Sequence, residues 1–209
     1  MNLTQKLIDT DKADNRSVNT HTTNSNQGSH LSDSSKGVRK DGVFSRVSWG
    51  KFSLFFIVAL AWFALDVASK TYANSFDRGD VFAGPFGGLF QFKLTYNTGA
   101  AWSMFSGSTL LLGLIAVVVL IALLFLMAIF SRHVTWIEAF SLGLVFAGGI
   151  GNALDRFTLG YVVDFIQTLF ISFPTFNVAD IGITCGVVLF LISFLYRTFK
   201  QDSEEKEGN

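Results

Sequence analysis

The sequence predicts an α-helical integral membrane protein with four transmembrane helices and a small β-sheet cradle on the outer face of the membrane. Half of its 209 residues are hydrophobic and only 15% are charged, whereas soluble domains carry about 25% charged residues. The mean hydropathy is +0.42, although the first fifty residues are polar, so the apolar residues are concentrated in the rest of the chain. This pattern excludes a plain cytosolic enzyme, a disordered protein and a disulfide scaffold.

The two ends of the chain differ from its middle. Residues 1–48 are rich in Ser, Asn, Asp, Thr and Lys, which predicts a disordered cytoplasmic tail. This stretch has no hydrophobic signal-peptide core, so we expect no cleaved leader. Residues 199–209 are charged and are expected to form a second cytoplasmic tail. The membrane domain therefore covers residues 49–198.

Four apolar runs are predicted to span the membrane, at about residues 52–70, 109–130, 137–154 and 179–197. A spanning helix needs about 20 mostly apolar residues. The second run carries no charge and is the clearest. The other three reach this length only if an acidic residue lies near one end of the helix.

The distribution of Lys and Arg predicts the orientation, because basic residues favour the cytoplasmic side. Nine basic residues flank the spans on one side and four on the other. The nine are Lys36, Arg39, Lys40, Arg46, Lys51, Arg132, Arg197, Lys200 and Lys206, and the four are Lys70, Arg78, Lys93 and Arg156. Both termini are thus expected in the cytoplasm, with the connections 70–108 and 155–177 outside.

This orientation places four acids at the outer face. Asp66 ends the first span, Asp155 ends the third, Asp180 begins the fourth, and Asp164 lies in the outer loop between the last two. Acids at membrane depth are costly and are therefore candidates for function. Alternatively, each acid marks a helix end at the level of the lipid headgroups.

An outer segment has the alternation of a strand. Apolar Phe90, Phe92, Leu94 and Tyr96 alternate with polar residues, and glycines precede them, which predicts a half-buried strand after a turn. A small sheet here could form a groove for an extended peptide. It could equally be a hairpin that covers the helix ends.

Several catalytic classes are excluded by residue type. Two of the three histidines, His21 and His30, lie in the tail and His133 lies in the inner loop, so neither a Ser-His-Asp triad nor a histidine zinc motif can form outside. Cys185 is the single cysteine, which excludes an internal disulfide and a cysteine metal cage. We expect Cys185 to be a small core residue, and we expect no metal and no cofactor.

Two catalytic chemistries remain possible. One is a Ser-Lys dyad, with a candidate serine (Ser69, Ser103 or Ser106) near Lys70 or Lys93. The other is a pair of carboxylates that share one proton, because two adjacent carboxylates cannot both ionise cheaply. The ionised member takes a proton from water while the protonated member polarises a peptide carbonyl, and such catalysis contributes about 10²–10⁴ in rate.

Polar residues at helical spacing accompany these acids. Residues three or four apart share one face of a helix. The sets with this spacing are Asp66 with Lys70, Asn152 with Asp155 and Arg156, and Asn177 with Asp180. The last pair is also the pattern of an N-cap followed by an acid in the first turn. The glycines of Gly148-Gly149-Ile150-Gly151 are expected to permit close helix packing.

Four ordered motifs resemble those of the lipoprotein signal peptidases (signal peptidase II) over about residues 50–198. Tyr96-Asn97-Thr98-Gly99-Ala100-Ala101-Trp102-Ser103 resembles the N-x-G-A-A-F-S box, with Trp102 in place of the usual Phe. Gly148 to Arg156 resembles the G-G-x-x-G-N-x-x-D-R box, Tyr161 to Phe165 the V-V-D-F box, and Phe176 to Asp180 the F-N-x-A-D box. Asp66 and Lys70 match the pattern of the family's first helix.

The resemblance implies a role for each matching residue. The catalytic aspartates would be Asp164 and Asp180, which activate water. The substrate-binding or orienting residues would be Asn97, Gly99, Asn152, Arg156 and Asn177. Asp155 would be a structural residue paired locally, and Asp66 and Lys70 would support the fold rather than the chemistry.

The resemblance also implies the substrate and the location. The substrates would be prolipoproteins that carry a diacylglyceryl group, cleaved before the lipidated cysteine. The protein would lie in the bacterial inner membrane, in contact with membrane lipid, with its site at the outer (periplasmic) interface. We expect a monomer. We also expect no nucleic-acid partner, since the formal net charge is zero. From the residues alone, a small proton-linked transporter or ion pathway and a non-enzymatic membrane scaffold remain alternatives.

Overall fold

The computed structural model of the protein describes residues 47–99 and 107–207. Its helices are α1 (Trp49–Ala73), α2 (Thr109–Phe130), α3 (Trp136–Thr158) and α4 (Val178–Glu207), and its strands are β1 (Val81–Phe86), β2 (Phe90–Asn97) and β3 (Val162–Thr168). Each of these four helices is long and apolar enough to cross a membrane. Together with the small sheet, they confirm the predicted fold class.

Helix α2 matches its predicted span of 109–130, and the other three helices are longer than predicted. Both α1 and α3 extend beyond the predicted limits 52–70 and 137–154 at each end. Helix α4 continues through Glu207, so most of the segment predicted as a separate tail from residue 199 is a continuation of the last helix. The tail predicted for the N-terminus falls almost entirely on residues 1–46, outside the described residues.

Helix α3 is the central helix of the bundle. About two-thirds (67%) of its most apolar stretch is buried, compared with 11–17% for the other three helices. Its glycines allow neighbours to approach closely: Gly143 faces the backbone of Phe55 on α1, and Gly148 faces the backbone of Ala179 on α4. The contact at Gly148 agrees with the helix-packing role expected for the glycines of residues 148–151.

One end of the bundle is joined by polar contacts around the α2–α3 turn. Lys51 Nζ at the start of α1 donates to the carbonyl oxygen of Val134, at 2.6 Å. Near the end of α4, Arg197 donates to the carbonyl oxygen of His133 and lies 3.5 Å from the carboxylate of buried Glu138. Thr135 and Glu138 form a reciprocal capping box at the start of α3. This end therefore holds the first turn of α1, the α2–α3 turn and the C-terminal part of α4.

The sheet covers the opposite end of the bundle. Its strands are antiparallel in the order β1-β2-β3, and β2 confirms the strand predicted from the alternation of residues 90–96. Ala73, in the last turn of α1, packs in one cluster with Leu94 of β2 and with Val163 and Phe165 of β3. The end of α1, the end of α3 and the start of α4 thus meet beneath the sheet.

Candidate active site

Asp164 lies on β3, within the connection between α3 and α4 where it was predicted. The strand pairs with β2 so that Asp164 lies opposite Thr95, and Asn97, two residues further along β2, points to the same face. Asn97 Nδ2 donates to Asp164 Oδ2 at 3.0 Å, and Asn177 Nδ2 donates to Asp164 Oδ1 at 2.7 Å. The side chain is almost fully buried, with 2% of its surface exposed.

Asp180 lies in the first turn of α4, where Asn177 caps the helix. The backbone N–H of Asp180 donates to Asn177 Oδ1 at 3.0 Å, and the backbone N–H of Asn177 donates to Asp180 Oδ2 at 3.1 Å. This reciprocal pair has the form of a capping box with an aspartate at its third helical position. The cap predicted for this pair is therefore present, and it fixes the position of the Asp180 carboxylate.

Two asparagines connect the two carboxylates. Asn152 Nδ2, on α3, donates to Asp180 Oδ1 at 2.7 Å. The Asn177 amide, which is bonded to Asp164, also donates to Asn152 Oδ1 at 3.0 Å. Asp164, Asn177, Asn152 and Asp180 consequently form one hydrogen-bonded chain that joins β3, α3 and α4.

The surroundings of Asp164 favour its protonated form. Burial raises the pKa of Asp164 to about 7, and the neighbouring Asp180 carboxylate acts in the same direction. The amide donors of Asn97 and Asn177 act in the opposite direction because they stabilise the ionised carboxylate. A buried acid beside a second acid is the arrangement in which one carboxyl group keeps a proton near neutral pH.

Arg156 connects α3 to the end of β2. Its Nη1 donates to the carbonyl oxygen of Asn152 at 3.0 Å and its Nη2 to the carbonyl oxygen of Gly99 at 3.2 Å. The backbone N–H of Gly99 in turn donates to Asn97 Oδ1, at 2.9 Å. The remainder of this motif, Ala100 to Ser103, lies outside the described residues, as does Ser106.

Lys70 is the centre of a buried ionic cluster beneath the two acids. Its Nζ lies 2.8 Å from Asp66 Oδ2 and 3.1 Å from Asp155 Oδ2. Asp66 Oδ1 accepts the backbone N–H of Ala179 at 2.8 Å, and Asp155 Oδ2 accepts that of Val163 at 3.1 Å. The cluster therefore holds the backbone next to both Asp180 and Asp164. With its ammonium paired in this way, Lys70 is not placed to act as the general base of a Ser-Lys dyad.

A cavity of about 460 Å³ opens at the two acids. Asn97, Asn152, Arg156, Asp164 and Asp180 contribute its polar side. The apolar and weakly polar remainder of its lining is Val162, Phe173, Pro174, Thr175, Phe176, Ile181, Thr184 and Cys185. A mostly apolar cavity with a few convergent polar groups has the character of a binding site.

The chain is similar in sequence to proteins of one family. The sequence model of the family described as signal peptidase (SPase) II matches residues 58–196. The chain belongs to the signal peptidase II family. The lipoprotein signal peptidase of Microcystis aeruginosa is 40% identical over 141 residues, which cover 66% of this chain and 90% of the relative. That of Nostoc punctiforme is 38% identical over 149 residues, with 71% and 93% covered.

A solved structure is similar in fold and sequence. A bacterial membrane enzyme determined by the in meso method at 2.3 Å resolution superposes with a TM-score of 0.64 and 30% identity, over 73% of this chain and 92% of that one. As a member of the signal peptidase II family, the chain is a multi-pass bacterial membrane protein and a protease that removes signal peptides from prolipoproteins. The family resemblance seen in the four motifs is thereby confirmed.

The structure of this signal peptidase II family member brings all ten site residues singled out in the sequence into one region, but it also uses residues that sequence reasoning missed. Trp62 on α1 donates from Nε1 to the carbonyl oxygen of Val178 at 3.0 Å, which ties α1 to the start of α4.

The expectation that Cys185 is a core residue is wrong, because its side chain is exposed and lines the cavity. An apolar run in a membrane helix does not distinguish a core position from one that faces lipid or a cavity, and this explains the error.

Proposed function

We propose that the chain cleaves diacylglyceryl-modified prolipoproteins immediately before the lipidated cysteine, with Asp164 and Asp180 activating the attacking water. One observation carries this proposal: the two carboxylates, from β3 and α4, are joined through Asn177 and Asn152 at the wall of one cavity. Two carboxyl groups held in this way can serve as the acid and the base of one reaction.

The proposed reaction assigns different tasks to the two acids. Asp180, in its ionised form, takes a proton from water, and the water oxygen attacks the carbonyl carbon of the scissile peptide bond. Asp164, whose pKa is raised by burial, donates its proton to the carbonyl oxygen. The resulting tetrahedral intermediate then collapses, the C–N bond breaks, and the leaving amine takes a proton from the pair.

The remaining residues would bind substrate or support the pair. Asn97, Asn152 and Asn177 orient the carboxylates through the amide contacts described above. Arg156 lines the cavity, and its guanidinium carries donors suited to substrate carbonyl groups. Gly99 provides the carbonyl oxygen that holds Arg156. The ionic cluster of Asp66, Lys70 and Asp155 would be structural support.

The proposed location of the site is the outer (periplasmic) face of the inner membrane, and both termini of the chain would lie in the cytoplasm. Charged side chains of the described parts of the helices lie near the two ends of the bundle: Lys51, Glu138 and those from Arg197 onward at one end, and the site residues at the other. This distribution favours a site at the surface over an ion pathway, which needs polar groups across the membrane depth. A lipidated substrate also favours the interface, since each buried CH₂ of its acyl chains contributes about 0.8 kcal/mol in the bilayer.

The lipid requirement can be tested directly with one precursor in two forms. Purified protein in detergent is given a prolipoprotein with or without the diacylglyceryl group on its cysteine, and cleavage is followed by gel shift. We expect the lipidated form to be cleaved at least about 10²-fold faster, because acyl-chain burial contributes several kcal/mol to binding at the interface. Equal cleavage of both forms would contradict the proposed substrate class.

The role of Asp164 as the proton donor predicts a pH dependence. Cleavage should fall as the pH rises through about 7, where Asp164 loses its proton. Asn97→Ala removes a donor that stabilises the ionised carboxylate, so it raises the pKa of Asp164 further and moves the alkaline limb of the pH–rate profile upward by roughly half a unit to one unit.

A matched control exists on the same strand. The amide of Gln91 bonds to Gln167 at 2.8 Å, and neither residue lines the cavity. Gln91→Ala should therefore keep the wild-type pH profile. An Asn97→Ala profile that is unchanged, or shifted to lower pH, would show that Asp164 is not the group that donates the proton.

A further inference from the structure

Lys70 contacts the amide that orients one of the proposed catalytic acids. Its Nζ donates to Asn152 Oδ1 at 3.1 Å, in addition to its two ion pairs. The side chain is buried, with 5% of its surface exposed. Asn152 is therefore placed between a lysine ammonium on one side and the Asp180 carboxylate on the other.

The two ends of the Asn152 amide are not interchangeable. Its oxygen only accepts hydrogen bonds and its nitrogen only donates. The oxygen receives Lys70 Nζ and Asn177 Nδ2, and the nitrogen faces Asp180 Oδ1. If the Asn152 amide were rotated by 180°, its N–H groups would face the donors of Lys70 and Asn177. Its oxygen would then face the Asp180 carboxylate, so all three contacts would become repulsive.

Lys70 and Asn177 both donate to Asn152 Oδ1, and Lys70 has the stronger effect on the orientation of this amide. The orientation of Asn177 is set independently, because the backbone N–H of Asp180 donates to Asn177 Oδ1. The bond from Asn177 to Asn152 is between neutral amides, whereas that from Lys70 carries a full charge, and charge-assisted hydrogen bonds are roughly twice as strong.

We propose that Lys70 is a positioning residue: it holds the Asn152 amide with its N–H groups toward Asp180. This inference rests on the proposed function of Asp164 and Asp180. It assigns Lys70 to the chemistry of the site in addition to its structural role in the ionic cluster. Asp66 and Asp155, in turn, hold the ammonium in place.

The charges around the pair give the sign of the expected pH effect. At the end of the bundle that holds Asp164, the charged side chains on the surrounding elements are Asp66 and Lys70 on α1, Lys93 on β2, Asp155 and Arg156 on α3, and Asp180 on α4. Among these, the Lys70 charge lowers the pKa of Asp164 and so opposes the effect of burial. Loss of this charge should move the alkaline limb of the pH–rate profile to higher pH.

The test compares Lys70→Gln with Lys70→Arg, using the full chain in detergent and a lipidated prolipoprotein. Gln both donates and accepts and has no charge, whereas Arg only donates and keeps the charge. For Lys70→Gln we expect kcat to fall about tenfold to hundredfold, the loss typical of a hydrogen bond to a charged group. KM should remain within about twofold and the alkaline limb should shift upward by roughly half a unit to one unit. Lys70→Arg should restore the wild-type profile.

Asp66→Asn is the control for a purely structural role. It weakens the same ionic cluster but leaves the Lys70 charge and its contact with Asn152, so it should lower the unfolding temperature without an upward shift of the pH profile. If Lys70→Gln does not fold, the double variant Lys70→Gln/Asp66→Asn, which removes one charge of each sign, is compared with Asp66→Asn alone. A double variant with the kcat of Asp66→Asn would overturn the proposal.

The outcomes separate this inference from the proposed function. A wild-type kcat and pH profile for Lys70→Gln, with Asp164→Asn inactive, would reject the role of Lys70 and leave the pair of acids intact. An active Asp164→Asn would reject the proposed function itself. A fall in kcat with the upward pH shift, rescued by Lys70→Arg, would support both.

Discussion

Asp164→Asn and Asp180→Asn should each reduce cleavage of a diacylglyceryl-modified prolipoprotein by about 10²–10⁴-fold or more, while the protein still inserts and folds. An amide in place of Asp180 cannot take a proton from water, and an amide in place of Asp164 cannot transfer one to the carbonyl oxygen. The fold should survive because Asn has nearly the same shape and can keep part of the contacts to Asn97, Asn152 and Asn177. The measurement is a gel-shift cleavage assay, with thermal unfolding in detergent to verify the fold.

Asp77→Asn is the matched control for this pair. Asp77 is an aspartate of the α1–β1 connection, on the same side of the bundle, but it is exposed and does not line the cavity. Its variant should cleave at the wild-type rate. Normal processing by either Asp164→Asn or Asp180→Asn would remove that residue from the catalytic assignment.

Gly148→Ala should both destabilise the protein and impair cleavage. A Cβ at Gly148 would overlap the backbone oxygen of Ala179 and would lie 2.7 Å from Cγ1 of Ile183, and a backbone atom cannot move aside as a flexible side chain can. Overpacking of this kind costs about 1–3 kcal/mol. Because Ala179 precedes Asp180, the start of α4 must shift, and a displacement of about 1 Å at a catalytic group can cost about 10²-fold in rate. Unfolding temperature and kcat are measured together.

Gly149→Ala is the control that distinguishes the effect of the close contact at Gly148 from the general effect of replacing a helical glycine. A Cβ at Gly149 would meet Cδ2 of Leu120 on α2, at 2.9 Å, and this is the end of a side chain that can change rotamer. Gly149→Ala should therefore keep most of the activity and stability. Equal effects of the two substitutions would show that the close contact between α3 and α4 does not position Asp180.

The elements that could be predicted from the sequence are those with local signals. Apolar runs such as Thr109–Phe130 identify spanning helices because a helix satisfies its own backbone hydrogen bonds in lipid. The alternation of apolar and polar residues over 90–96 predicted β2, because successive side chains of a strand point to opposite faces of the sheet. The cap at Asn177 and Asp180 could be predicted because both partners lie within one helical turn.

Strand β3 could not be identified from its own residues. Its sequence from Val162 to Thr168 is mostly apolar around Asp164 and lacks the alternation of a half-buried strand. Its conformation depends on pairing with β2 and on the bond from its Val163 N–H to Asp155. The error at Cys185 has a related origin, because hydrophobicity alone does not tell which side of a membrane helix faces a cavity.

The sequence by itself determined the four-helix membrane architecture, the presence of a strand before α2, and, through four ordered motifs, the family and its candidate residues. Only the tertiary structure decided how these residues act on one another. Lys70, Asn152, Asp164 and Asp180 lie on four different elements, and their contacts join residues up to 82 positions apart. Local patterns cannot specify such contacts, since the direction of each hydrogen bond depends on which donors and acceptors the packing of α1, α3, β3 and α4 brings together.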